Sequence, residues 1–317
     1  MKRILVPTDF SPTAERAFRL ALDISKKTKG MIILYHAYKP EKNEAVSTAE
    51  KREMYNKQAE FALGKKLQRL KKKVTEGAGD IPISTVVGRT PTVDNILGFA
   101  EHNHMDLIVM GTQGAGGLRR TIVGSVASKV AELADIPVLL VPEKYELKDL
   151  AKIVYASDYA ISEKPALSQV LAFARLLNAE VNVIHLISAY LTPDASQAEK
   201  DAFDMYAFSV QREFNDDQLK FKLLDTASFI DTMENLDNVI PYDLMIMMRR
   251  NKSFYEKFFV GSFTKNMAYF TKKLLLIIPE EKVPDVEKTG EYNGDRLSVP
   301  HDNLQLEKII KRKRATN

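Results

Sequence analysis

The chain has 317 residues, 45% hydrophobic and 28% charged, with a net charge of +4. That length allows two domains of ordinary size, and so mild a basic balance gives no reason to expect a nucleic-acid partner. There is no cysteine, which excludes disulfides, thiolate chemistry and Cys-based zinc sites; apolar runs are too short for a signal sequence or a membrane span, so a cytoplasmic setting without membrane contact is expected.

Taken in order, Ile4-Leu-Val is a short apolar run ending at Pro7-Thr8-Asp9. Ser11-Pro12 reads as a helix start, Ser as N-cap and Pro at the first helical position. Ala14, Ala17, Phe18, Ala21 and Leu22 give that helix an apolar face, and Gly30 is its expected stop. Met31-Ile-Ile-Leu-Tyr35 predicts a second strand, and a long helix is expected from roughly Ala45 to Lys73. Ile83-Ser-Thr-Val-Val87 predicts a third strand. Thr90-Pro91 opens a helix with Val93, Ile96, Leu97 and Ala100 inward. Leu107-Ile-Val-Met110 and Pro137-Val-Leu-Leu-Val141 complete a set of five. Near-continuous apolar strands separated by amphipathic helices predict a parallel sheet covered on both faces. Ligands of such sheets bind at the carboxyl ends of the strands, where strand order reverses.

The fourth strand runs into glycines at 111, 114, 116 and 117, and Gly124-Ser125 then opens another helix. Glycines let an anion approach the main chain closely, and the free N–H groups of a helix start favour phosphate. The stretch therefore predicts a phosphate cradle and a bound nucleotide. It lacks the Gly-Lys-Ser/Thr ending of a Walker A loop, and the first strand–helix turn, Pro-Thr-Asp-Phe-Ser, is not a dinucleotide fingerprint.

The chain repeats itself once. Lys2–Phe10 returns as Ala151–Tyr159, and Ile32–His36 as Asn182–His185. Asp106–Met110 returns as Asp243–Met247, Val123-Gly-Ser125 as Val260-Gly-Ser262, and Val138–Pro142 as Leu275–Pro279. The second copy is shorter where the first carries its long helix. This divides the chain into 1–145, 150–279 and a polar tail at 280–317. The tail ends in a basic run, Lys311–Arg314, expected to be solvated. His36 and His185 close equivalent strands and are expected to make the same structural hydrogen bond. His102 and His104 share no helical face, so no metal site is expected.

Three features coincide: the opening Val-Pro-Thr-Asp-Phe-Ser, the Asp-Leu-Ile-Val-Met-Gly strand, and Gly-x2-Gly-x9-Gly-Ser. Together they resemble the universal stress protein family in its tandem two-domain form. The resemblance implies an α/β fold of two similar domains. Each is a five-stranded parallel sheet flanked by helices on both faces, and the two are packed as a pseudo-dimer. It also implies bound ATP or AMP, with or without magnesium. Asp9 would hold the ribose hydroxyls, with Pro7, Thr8 and Ala37 around adenine and sugar. Met110, Gly111, Gln113 and Gly114 would wrap the nucleotide. Gly124, Ser125, Val126 and Ala127 would hold the phosphates. The function implied is an adenine-nucleotide-binding stress regulator with an unidentified regulatory protein partner, and a homodimer stays open.

Copy two departs from this pattern. Met248 and Asn251 stand where copy one has Gly111 and Gly114, with Arg249-Arg250 between them. Two readings follow: a structural half without nucleotide, or an anion site built from Arg249, Arg250 and Lys252. The seam between copies is expected at the apolar fifth strands, Val138–Val141 and Leu275–Ile278, because an unpaired apolar edge invites pairing. No general base stands beside a nucleophile, so no catalytic residue is assigned and fast hydrolysis is not expected. Two rivals stay open: a slow ATPase or self-phosphorylating protein using the same cradle, and an interaction scaffold without nucleotide.

Overall fold

Ser11 sets the entry of the first helix, its side chain accepting from the Ala14 N–H at 3.2 Å while Pro12 takes the first turn. In the computed structural model the described residues are 2–42, 48–77, 79–112, 124–157, 159, 163–249 and 273–280, all within one unit, Met1–Glu280. The tail from 281 lies outside them. The first half comprises β1 (Arg3–Pro7), α1 (Pro12–Thr28), β2 (Met31–Tyr38), α2 (Ala49–Thr75), β3 (Ile83–Arg89), α3 (Thr92–His102), β4 (Leu107–Gly111), α4 (Ser125–Leu133) and β5 (Val138–Val141). The second comprises β6 (Lys152–Ala156), α5 (Lys164–Leu177), β7 (Glu180–Ser188), α6 (Pro193–Phe214), β8 (Leu219–Thr226), α7 (Phe229–Val239), β9 (Leu244–Arg249) and β10 (Leu274–Pro279).

Two boundaries differ from the sequence reading, each for a local reason. The left-handed residue closing α1 is Lys29, with φ of 51°, not Gly30. Gly30 is needed for a different reason: a Cβ there would meet the Lys2 carbonyl oxygen at 2.9 Å. The long helix starts at Ala49 instead of Ala45, because Thr48 caps it by accepting from the Lys51 N–H at 3.4 Å. Its counterpart α6 has 22 residues against 27, and the connections before and after it are shorter as well, which together shorten the second copy.

The strands form one ten-stranded sheet in the order β3-β2-β1-β4-β5-β10-β9-β6-β7-β8. Within each half every pairing is parallel. The two expected five-stranded sheets are joined where β5 meets β10 antiparallel, with Leu139 opposite Leu276. This is the seam foreseen at Val138–Val141 and Leu275–Ile278, and the pairing satisfies two edges that would otherwise expose N–H and C=O groups. Leu139 and Leu276 are each 1% exposed, and burying such a side chain contributes roughly 1.5–3 kcal/mol.

Two apolar cores line the two faces, and each runs through both halves. One packs Ile4, Val6, Leu139 and Leu276 under α1, α2, α5 and α6; the other packs Leu5, Ile108, Leu140 and Leu275 under α3, α4 and α7. Alternate residues along each strand serve opposite faces, which is why the strands read as continuous apolar runs.

The repeat also extends to a charged clamp. Asp106 accepts from the Lys2 and Arg3 N–H groups at 2.5 and 2.9 Å, and Asp243 from those of Ala151 and Lys152 at 3.0 Å each. Each carboxylate ties the start of its half's fourth strand to the start of its first.

Candidate functional site

Strand order reverses between β1 and β4, so chain leaving these neighbours diverges and leaves a crevice beyond their carboxyl ends. Pro7 and Thr8 close β1 and are buried, whereas Asp9 is exposed above them. The Thr8 N–H donates to the Tyr35 carbonyl at 2.8 Å, which holds the end of β1 against β2. Asp9 Oδ1 accepts from the Ser11 N–H at 3.0 Å, and Phe10 between them has φ of 66°. This turn presents the Asp9 carboxylate at the mouth of the crevice.

From β2, His36 donates through Nδ1 to the Thr8 carbonyl at 2.7 Å, and His185 does the same to the Ser157 carbonyl at 2.7 Å. A carbonyl only accepts, so Nδ1 carries the proton in both. The expected structural bond is present twice. The following aromatic packs on each imidazole, Phe10 on His36 at 4.6 Å and Tyr159 on His185 at 4.5 Å between ring centroids. Lys66 Nζ stands 4.0 Å over the Phe10 ring. Ala37, one residue on, pairs with Gly88 of β3. Beyond it, Tyr38 donates to Glu60 at 2.7 Å and Arg89 bridges the same carboxylate at 2.9 Å. The Tyr38 hydroxyl and the Arg89 guanidinium hold the Glu60 carboxyl below the usual range.

From β4, Met110 is buried and Gly111 ends the strand opposite Val141. A Cβ at Gly111 would lie 2.8 Å from Thr13 Cγ2 and 2.9 Å from the Thr13 carbonyl carbon, so this glycine admits the first turn of α1. The Gly124 N–H donates to the Thr112 carbonyl at 2.5 Å, so β4 and α4 meet where the intervening chain leaves and returns. The Thr112 hydroxyl is buried without a hydrogen-bond partner among the described residues. Nothing in its residue type singled it out from its neighbours in the sequence. Gln113 and Gly114 lie outside the described residues, as do Gly116 and Gly117.

Gly124 is the N-cap of α4, with φ of −60° and no side chain to cap the helix. The first helical bond is the Ser128 N–H to the Gly124 carbonyl at 3.0 Å. The N–H groups of Ser125, Val126 and Ala127 precede it and have no intrahelical acceptor. Ser125 is exposed; Ala127 is 3% exposed, its methyl in the core, so it offers only its backbone. The structure thus gathers Pro7, Thr8, Asp9, Ala37, Met110, Gly111 and Gly124–Ala127 at one end of the sheet. The open amides favour an anion, and a carboxylate stands on the other side of the crevice.

At the corresponding end of the second half the described side chains contact one another. Ser157 hydrogen-bonds the buried Glu163 carboxylate, and Tyr159 that of Glu199. Phe203 and Tyr206 crowd Tyr159 at 6.3 and 6.5 Å. Met248 is 6% exposed and pairs with Ile278. The anion site considered for Arg249 is corrected: its guanidinium donates to the Ala131, Glu132 and Ala134 carbonyls at 3.1, 2.5 and 2.7 Å. It serves the carboxyl end of α4, which sequence reasoning missed. Arg250, Asn251, Lys252, Asp158 and Gly261-Ser262 lie outside the described residues.

No group of three or more metal-ligating side chains occurs among the described residues, and no helix there is long and apolar enough to cross a membrane. Residues 1–142 match the model of the universal stress protein family. The chain is 30% identical over 140 residues to a universal stress protein of Methanocaldococcus jannaschii, covering 44% of this chain and 81% of that one. It is also 30% identical over 159 residues to a second from the same organism, covering 45% and 96%. A crystal structure of a universal stress protein from Archaeoglobus fulgidus shares the fold at a TM-score of 0.58 and 16% identity, over 88% of this chain and 96% of that one.

Proposed function

Because this chain belongs to the universal stress protein family, we propose that it is a stress-response regulator that binds one adenine nucleotide, ATP or AMP, in its N-terminal half. The observation that carries the reading is the amino end of α4. Three backbone N–H groups, those of Ser125, Val126 and Ala127, have no acceptor within the helix and lie at the strand-order reversal, across from Asp9. The amides suit phosphate oxygens, and the Asp9 carboxylate suits two vicinal ribose hydroxyls. Pro7, Thr8, Ala37, Met110 and Gly111 line the space between, and Gln113 and Gly114 belong to the same proposal by motif. Met248 in the place of Gly111, and Arg249 engaged by the carbonyls of α4, support a structural role for the second half, so the expected stoichiometry is one. Residues 1–145 and 150–279 are proposed as the two domains, with 280–317 as the tail. A cytoplasmic setting and an effect on a protein partner are parts of the same proposal.

Mass spectrometry of nucleotide released from freshly purified protein, with protein quantified alongside, tests this directly. About one adenine nucleotide per chain is expected, before or after titration with ATP and magnesium. None in either case overturns the reading, and two per chain overturns the silent second half. The control is Gly124→Val. At φ of −60° the backbone accepts a branched residue, so the variant is expected to fold and lose the nucleotide.

A further inference from the structure

Arg249 closes β9 in the second half, yet its side chain serves a helix of the first. Its three carbonyl contacts all lie at the end of α4, the helix whose amino end forms the proposed phosphate site. The same residue's carbonyl accepts from the Glu280 N–H at 3.1 Å, which ties it to the end of β10. Side chain and main chain together therefore lock α4 to the seam. The helix has nine residues, roughly 13 Å of rise, so its two ends are close. A cation among its last carbonyls cancels the negative end of the dipole and raises the potential felt by an anion at the other.

We propose that Arg249 is a positioning residue for the anion site of the opposite half, holding and polarising α4 so that occupancy of the site and placement of β9 are coupled. The second half then acts on a nucleotide it does not touch. A bound phosphate pulls α4 toward the carboxyl ends of β1 and β4. Arg249 passes that pull to β9 and β10 through the carboxyl end of α4. Coupling of this kind is reciprocal: whatever displaces β9 weakens the nucleotide by the factor that the nucleotide resists the displacement. The inference rests on the nucleotide reading above.

The test is ATP titration of the full chain by calorimetry for wild type, Arg249→Met and Arg249→Lys, with hydrogen exchange of wild type with and without ATP. Arg249→Met is expected to weaken ATP by about fivefold or more. Arg249→Lys is expected to fall between, since an ammonium keeps the charge but lacks the planar fork that reaches three carbonyls. In wild type, ATP is expected to slow exchange in α4 and in β9, but not at the far edge strand β8. Equal affinity in all three proteins, with Arg249→Met only less stable, makes Arg249 merely structural and overturns the inference. Exchange slowed in α4 with β9 unchanged overturns it as well, even if Arg249→Met does not fold. No ATP binding by wild type overturns the site reading itself, and this inference with it.

Discussion

The Gly124 amide and the Thr112 carbonyl are hydrogen-bonded at 2.5 Å, so the end of β4 and the start of α4 form one edge of the crevice. Asp9 stands on the other side, at the end of the neighbouring strand β1. The geometry separates the sugar-binding and phosphate-binding parts of the proposed site onto different elements, and each can be altered alone.

Asp9→Asn tests the sugar side. The amide oxygen still accepts from Ser11, which preserves the turn at Phe10, but the charge is gone. Charged hydrogen bonds contribute about 1.5–3 kcal/mol, so ATP affinity is expected to fall roughly 10- to 100-fold with unfolding temperature unchanged. Calorimetric titration beside a thermal melt reads both; unaltered affinity would remove Asp9 from the site.

Gly111→Ala tests why that glycine is there. The new methyl would press on Thr13, 2.8 Å from its Cγ2 and 2.9 Å from its backbone carbon, and backbone does not move aside cheaply. Destabilisation of about 1–3 kcal/mol is expected even without ligand. A chemical denaturation curve matching wild type would return Gly111 to a purely ligand-facing role.

Asp243 should make stability pH-dependent. Burial pushes its carboxyl up, but the Lys148 ammonium and the Lys152 and Ala151 N–H groups outweigh this and hold it below the usual range. A depressed folded value means the stabilisation is complete above the unfolded pKa, about 3.9, and is lost as pH falls through the folded value. Asp243→Ala is therefore expected to melt lower than wild type at pH 5–8, the gap narrowing below pH 4. A gap independent of pH down to acid unfolding would refute the assignment.

The seam can be tested by separating its halves. A fragment of residues 1–145 would leave β5 as an apolar edge, with Val138, Leu139 and Leu140 deprived of their pairing with β10. Such an edge pairs with whatever strand is offered, so the fragment is expected to form dimers or larger species in sedimentation equilibrium. A stable monomer would mean that β5 does not need its partner and would weaken the case for a pseudo-dimer.

What the chain reveals unaided is what neighbours in sequence decide. Ser11 beside Pro12 caps a helix whatever packs on it later, and the spacing of Ala14, Phe18 and Ala21 turns one face inward. Runs such as Leu107–Met110 are apolar throughout because both faces of the sheet are covered, which made the strands, the repeat and the seam legible. Gly124-Ser125 indicated the start of α4 because a helix start is a local property. Packing decided the rest. Gly30 and Gly111 are glycines because Lys2 and Thr13 lie against them, and no local pattern carries that contact. Arg249 reaches Ala134 across 115 residues of chain, and it reads as an anion ligand until the antiparallel pairing of β5 with β10 brings α4 beneath it. Capping and periodicity act within a few residues, whereas a partner more than a hundred residues away is set only when the whole sheet has closed.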